Sequence, residues 1–301
     1  MGSILAVLTT LAPDFMLLMA GAVLGRFLPA EVWRNADRVN FRVMFPALIF
    51  LAAYSHPPAP GDLTVIALGT AFVMGAGCFL TWWLRPLGPP RFVDFAALWQ
   101  TAWRFNTALG LVAVQLLPKT SHGLMSLAVA FAIPVSNLMA ITALTHGRKI
   151  GVTGMLRNVV GNPFIVAGIL GLMLPAIQIE LPQILLGGLG VLSWGAVPVA
   201  LLSIGAAVNW KALAELDAFA GALNVVKLVI LPVLVWCSGS YAGMRPDHLS
   251  VLTLFAALPT APASLVLATV YGAERTSVAT MVAQSTILGC VTLPLWLVVL
   301  T

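Results

Sequence analysis

The chain has 301 residues, of which 60% are hydrophobic and only 8% charged, with a mean hydropathy of +1.01. A water-soluble domain would carry about 25% charged residues, so a soluble enzyme is excluded. The formal net charge of +5 comes from scattered Lys and Arg that form no stripe for nucleic acid. Because about 20 apolar residues cross the hydrocarbon core of a bilayer, the length accommodates roughly ten crossings.

The apolar run at the N-terminus lacks a preceding basic stretch and is too long for a cleavable signal, so it reads as the first span, 4–28. Further apolar runs between turn and charge clusters predict spans at 40–55, 63–84, 95–117, 123–145, 159–179, 184–208, 218–241, 248–271 and 277–300. The connectors are short, which predicts one polytopic all-α transmembrane domain over 1–301. Cys78, Cys237 and Cys290 stand alone in apolar runs without metal-ligand spacing and read as packing residues, so neither a metal nor a cofactor is expected.

Orientation follows from the cations. The odd-numbered connectors carry eleven Lys and Arg, whereas the even-numbered ones carry only Lys119 and Arg245. Cytoplasmic loops hold the excess of Lys and Arg, so both termini are expected on the non-cytoplasmic side of the plasma (inner) membrane.

Helix-breaking features recur about 150 positions apart. Pro13-Asp14-Phe15 in the first span is echoed by Asn162-Pro163-Phe164 in the sixth, and Phe45-Pro46-Ala47-Leu48 in the second by Val197-Pro198-Val199-Ala200 in the seventh. Arg104-Phe105-Asn106-Thr107 in the fourth answers Leu258-Pro259-Thr260-Ala261-Pro262 in the ninth. The pattern predicts two five-helix repeats, about 1–150 and 151–301, and five spans per half inverts one repeat relative to the other. Secondary transporters of that build place their sites near the midplane where interrupted helices meet. Pro259 and Pro262 remove amide donors and clash with preceding carbonyls, so the ninth helix should break near Thr260.

Several segments resemble the auxin efflux carrier family. They are Ala256 through Pro262, Ala268-Thr269-Val270-Tyr271-Gly272, Gln284-Ser285-Thr286 and Thr292-Leu293-Pro294-Leu295-Trp296, with Asn106-Thr107, Asn162-Pro163 and Lys227 ahead of Leu231-Pro232. The resemblance covers essentially the whole chain. It implies the bile/arsenite/riboflavin transporter-like superfold, with ten helices in two inverted repeats and broken fourth and ninth helices that cross. It also implies transport of organic anions such as malate, malonate or an auxin. One departure stands out: where the family follows its Asn-Thr with glycine and later proline, this chain has Ala108, Leu111 and Ala113. A less sharply broken fourth helix is therefore expected.

Intramembrane polar groups supply the candidate site. Arg104 lies about 13 Å from its span's cytoplasmic end at 1.5 Å per residue, where a cation is expensive and its fork suits a carboxylate. Lys227 sits at comparable depth and either binds an anion or replaces a mobile cation. Asn106, Thr107, Pro259, Thr260 and Pro262 complete the expected substrate site, where half-helix ends converge. Asp14, Gln284 and Ser285 are the candidates for ion coupling, and Gln115, Asn137 and Thr286 are weaker candidates for the ion or substrate path.

The leading expectation is a secondary carrier for a small organic anion, working by alternating access within the lipid bilayer. The alternative is a sodium-coupled symporter of the bile-acid type. A coupling proton or sodium ion and a second copy of the chain are both left open as partners; nucleic acid is not expected. An intramembrane protease is disfavoured, because Asp14 has no intramembrane carboxylate partner and all four histidines fall at span ends.

Overall fold

A computed structural model describes residues 13, 16–17, 19–55, 61–145, 163–207 and 217–300. Among them the elements are helical, with no β-strand. In chain order they are α1 (Ala30–Val39), α2 (Phe45–Ser55), α3 (Asp62–Trp82), α4 (Phe92–Trp99), α5 (Thr107–Ala113), α6 (Thr120–Leu144), α7 (Pro163–Ala176), α8 (Gln183–Ala207), α9 (Ala218–Val225), α10 (Leu231–Tyr241), α11 (Pro246–Ala256), α12 (Ala263–Val270) and α13 (Arg275–Leu300). Among the described residues five units are each long and apolar enough to cross a membrane: α3, α6, α8, the α9–α10 pair and α13. In hydrocarbon a helix satisfies its own backbone, which is why long apolar runs adopt this form.

Most helix ends fall within a few residues of the expected spans. The second span is the exception and needs correction: its helix starts at Ala30, ten residues before the expected 40. Arg34, Asp37 and Arg38 interrupt the apolar pattern there without interrupting the helix. A π-helical turn at Asn40–Met44 joins α1 to α2, and another at Val226–Ile230 joins α9 to α10. Each precedes a proline, Pro46 or Pro232, whose ring would clash with the carbonyl four residues back; widening the turn relieves that clash. The Leu228 carbonyl, left over by Pro232, accepts the Trp296 indole N–H at 3.2 Å.

The helices pack in two groups. In the first, α2 lies on α7 and α8, and α1 lies on α8. The described end of the first span joins this group at Gly21, where an added Cβ would run into the Leu202 carbonyl oxygen of α8. In the second group α3 packs on α6, α11 on α3, α6 and α10, and α12 on α4 and α13. The two groups meet where α6 touches α2 and α7. At one end of the second group the buried Asp62 carboxylate accepts Arg245 and lies 2.8 Å from His248 Nε2, tying the start of α3 to the start of α11.

Two elements of the second group are interrupted. After α4 the chain makes a 3-10 turn at Gln100–Ala102, turns at Trp103 and stays non-helical until α5 begins at Thr107. After α11 it is irregular until α12 begins at Ala263. The expectation of a weaker break in the fourth span does not hold, because hydrogen bonds from neighbouring elements open it fully.

Candidate functional site

The two interruptions meet. Phe105 and Thr260 form an antiparallel bridge, in which Asn106 N–H donates to the Pro259 carbonyl at 2.8 Å and Ala261 N–H to the Arg104 carbonyl at 3.2 Å. Buried backbone groups must be paired, and each break supplies what the other lacks. Thr260 closes two further gaps: its N–H donates to Ser285 Oγ at 3.0 Å, and its hydroxyl donates to the Thr101 carbonyl at 2.9 Å. Pro259 is held against α13 at Gly289, where a Cβ would come within 3.0 Å of the proline ring.

Asn106 caps α5, its Oδ1 accepting Leu109 N–H at 3.2 Å. A cap of this kind contributes about 1 kcal/mol and fixes where the helix restarts. Thr107 follows as the first residue of α5.

Beside the crossing lies a cavity of about 140 Å³. Its polar wall is Arg104, Thr107, Ser136 and Asn137, and its apolar wall includes Phe41, Met74, Trp103 and Ile133. Phe41 belongs to the first helical group and the rest of this lining to the second, so the cavity sits between them. Arg104 is 4% exposed. One guanidinium nitrogen donates to Asn137 Oδ1 at 2.9 Å and another reaches Gln100 Oε1 at 3.4 Å, while Nε is buried with no hydrogen-bond partner. Such a group is rare in a folded protein and calls for a partner.

Lys227 is fully buried but does not line the cavity. Its ammonium donates to the carbonyls of Ala102 at 3.2 Å and Arg104 at 3.0 Å, and lies 3.7 Å from the centre of the Phe105 ring. Gln284 is buried on α13 next to Ser285. Pro262 is exposed at the start of α12. Asp14 lies outside the described residues.

Four contributors were not singled out from sequence. Gln100, four residues before Arg104, holds the guanidinium and donates to the Ser264 carbonyl at 3.2 Å; helical spacing could have found it. Ser136, adjacent to Asn137 on α6, lines the cavity. The carbonyls of Thr101 and Ala102 leave no trace in residue type.

The family described as membrane transport protein matches residues 146–297. A protein of Methanothermobacter thermautotrophicus named an uncharacterized transporter is 35% identical over 112 residues, 37% of each chain. One of Rhizobium meliloti, provisionally named a malonate transporter, is 26% identical with 92% of each chain aligned. The chain thus spans little more than a third of the first relative and nearly all of the second.

Proposed function

The chain belongs to the membrane transport protein family, the auxin efflux carriers, and from that membership we propose that it is a secondary carrier for a small organic anion. In this reading ten spans form two inverted five-helix repeats in the plasma membrane, with both termini non-cytoplasmic. Alternating access arises from movement of the four-span group containing α2, α7 and α8 against the group that carries the crossing. The cavity between the two groups supports that division.

The observation that carries the proposal is Arg104. A buried guanidinium at a cavity wall, with Nε unpartnered and no carboxylate within salt-bridge distance among the described residues, is a built anion receptor. Asn137 and Gln100 hold two of its nitrogens, and a guanidinium is the side chain that can give one carboxylate two parallel N–H bonds. The start of α12 at Ala263 also faces the cavity and adds the positive end of a helix dipole. A volume of about 140 Å³ suits a compact mono- or dicarboxylate. Malonate, the compound named for the Rhizobium relative, is the first substrate to test.

The test is counterflow of labelled malonate, malate and an indole acid into proteoliposomes holding purified protein. Saturable exchange of at least one carboxylate is expected in the wild type, with little in Arg104→Gln or Arg104→Lys, since lysine lacks the fork. Non-saturating flux would indicate a pore, and full exchange by both variants would remove Arg104 from the site.

A further inference from the structure

The Lys227 ammonium has the surroundings of a bound monovalent cation. Its oxygen ligands are backbone carbonyls, those of Ala102 and Arg104, where the half-helix of the fourth span ends and unwinds. Its remaining face is covered by the Phe105 ring at 3.7 Å, within the range of a cation–π contact. No carboxylate within 4 Å balances it among the described residues. Unwound carbonyls and half-helix C-termini are the groups with which carriers built on broken helices coordinate mobile coupling cations.

We propose that Lys227 is a tethered cation at the crossing, filling the place of a mobile alkali ion so that the carrier needs none there. This rests on the reading of the crossing as a carrier site. The geometry gives Lys227 a positioning role. Its ammonium holds the carbonyls of residues 102 and 104 open, which leaves Asn106 N–H free to bond Pro259 and turns the Arg104 side chain to the cavity. Because Lys227 and both breaks belong to the same helical group, the ammonium stays paired as that group moves, and the fixed charge accompanies the anion.

The experiment replaces the tethered ion with a free one. Lys227→Ala removes the ammonium and opens a space edged by two carbonyls and a ring; Lys227→Met removes the charge and leaves the stem in place. Thermal unfolding in detergent and carboxylate counterflow are measured in choline, sodium, potassium, ammonium and methylammonium chlorides at one ionic strength. Wild type should be indifferent to the cation in both assays. Lys227→Ala should lose about tenfold or more of its counterflow in choline, equivalent to about 1.4 kcal/mol in the barrier. It should regain both counterflow and unfolding temperature in ammonium or methylammonium, while Lys227→Met should regain neither.

A sodium requirement in the wild type, or wild-type counterflow by Lys227→Met, would overturn the proposal. So would a folded Lys227→Ala whose unfolding temperature ignores every cation. The unfolding assay uses no carboxylate. Failure to find a transported anion would therefore count against the carrier reading, while the cation response still decides the role of Lys227.

Discussion

Pro259 and Pro262 lie within the break of the ninth span, whereas residues 99–113 of the fourth contain no proline. In the ninth span the interruption is intrinsic: each proline disfavours helix by about 3 kcal/mol. In the fourth it is imposed from outside. Lys227 takes the Ala102 and Arg104 carbonyls, Pro259 takes the Asn106 amide, Ala261 donates to the Arg104 carbonyl, and Asn106 caps the restart. A helix can thus be broken by residues of other helices. Its sequence then records the break only through the polar groups left at the opening.

The comparison predicts its own largest failure at Lys227. Lys227→Met leaves the Ala102 carbonyl without a donor while the Arg104 carbonyl keeps the Ala261 amide, so at about 1–3 kcal/mol for an unsatisfied group unfolding measurements should show a loss of about 1–3 kcal/mol. An unchanged stability would mean that the fourth break is intrinsic after all.

Next comes the ninth break. Replacing both Pro259 and Pro262 with alanine relieves about 6 kcal/mol of preference against helix, against about 4 kcal/mol held by the four hydrogen bonds of Asn106, Ala261 and Thr260 at roughly 1 kcal/mol each. Helix should win by a small margin. The double variant should remain folded yet lose most of its counterflow, as Thr260 leaves Thr101 and Ser285. Retained exchange would show that the prolines do not set the break.

Asn106→Ala should act more gently. It removes the cap of α5 and leaves the backbone bond to Pro259 intact, so stability should fall by about 1 kcal/mol and carboxylate affinity by roughly fivefold. A loss as large as that of Lys227→Met would place the cap ahead of the ammonium in holding the break open.

The smallest effect concerns α13, the helix behind Pro259. Glu274 at its start accepts the Thr276 and Ser277 amides, and hydrogen bonds with Ser277, then Thr276, hold its pKa down from 4.5 to about 2. The folded pKa is the lower one, so the stabilisation is present above about 4.5 and fades as pH falls toward 2. Glu274→Gln should flatten that part of the acid unfolding profile, and an unchanged profile would remove the cap.

Much of this was legible in the sequence because membrane insertion forces simple patterns. Apolar runs located the helices, the two prolines located one break, and the depth of Arg104 and Asn106 located the other. The helical extension through Ala30–Val39 was hidden because charged residues at the edge of a span look like a connector. The partners of Lys227 were hidden for another reason: they are backbone oxygens, and only the fold brings residue 227 to residues 102 and 104. The link of Asp62 to Arg245 and His248 was likewise unreadable, since more than 180 residues separate the partners.

The central claim is that the cavity beside the crossing receives a carboxylate on Arg104. Calorimetric titration of malonate into purified wild type and Arg104→Gln, with matched unfolding temperatures confirming that both are folded, tests it most directly. Saturable binding to the wild type with a loss of about tenfold or more in the variant, at least 1.4 kcal/mol, is the predicted result. Equal affinity in the two proteins would contradict the account.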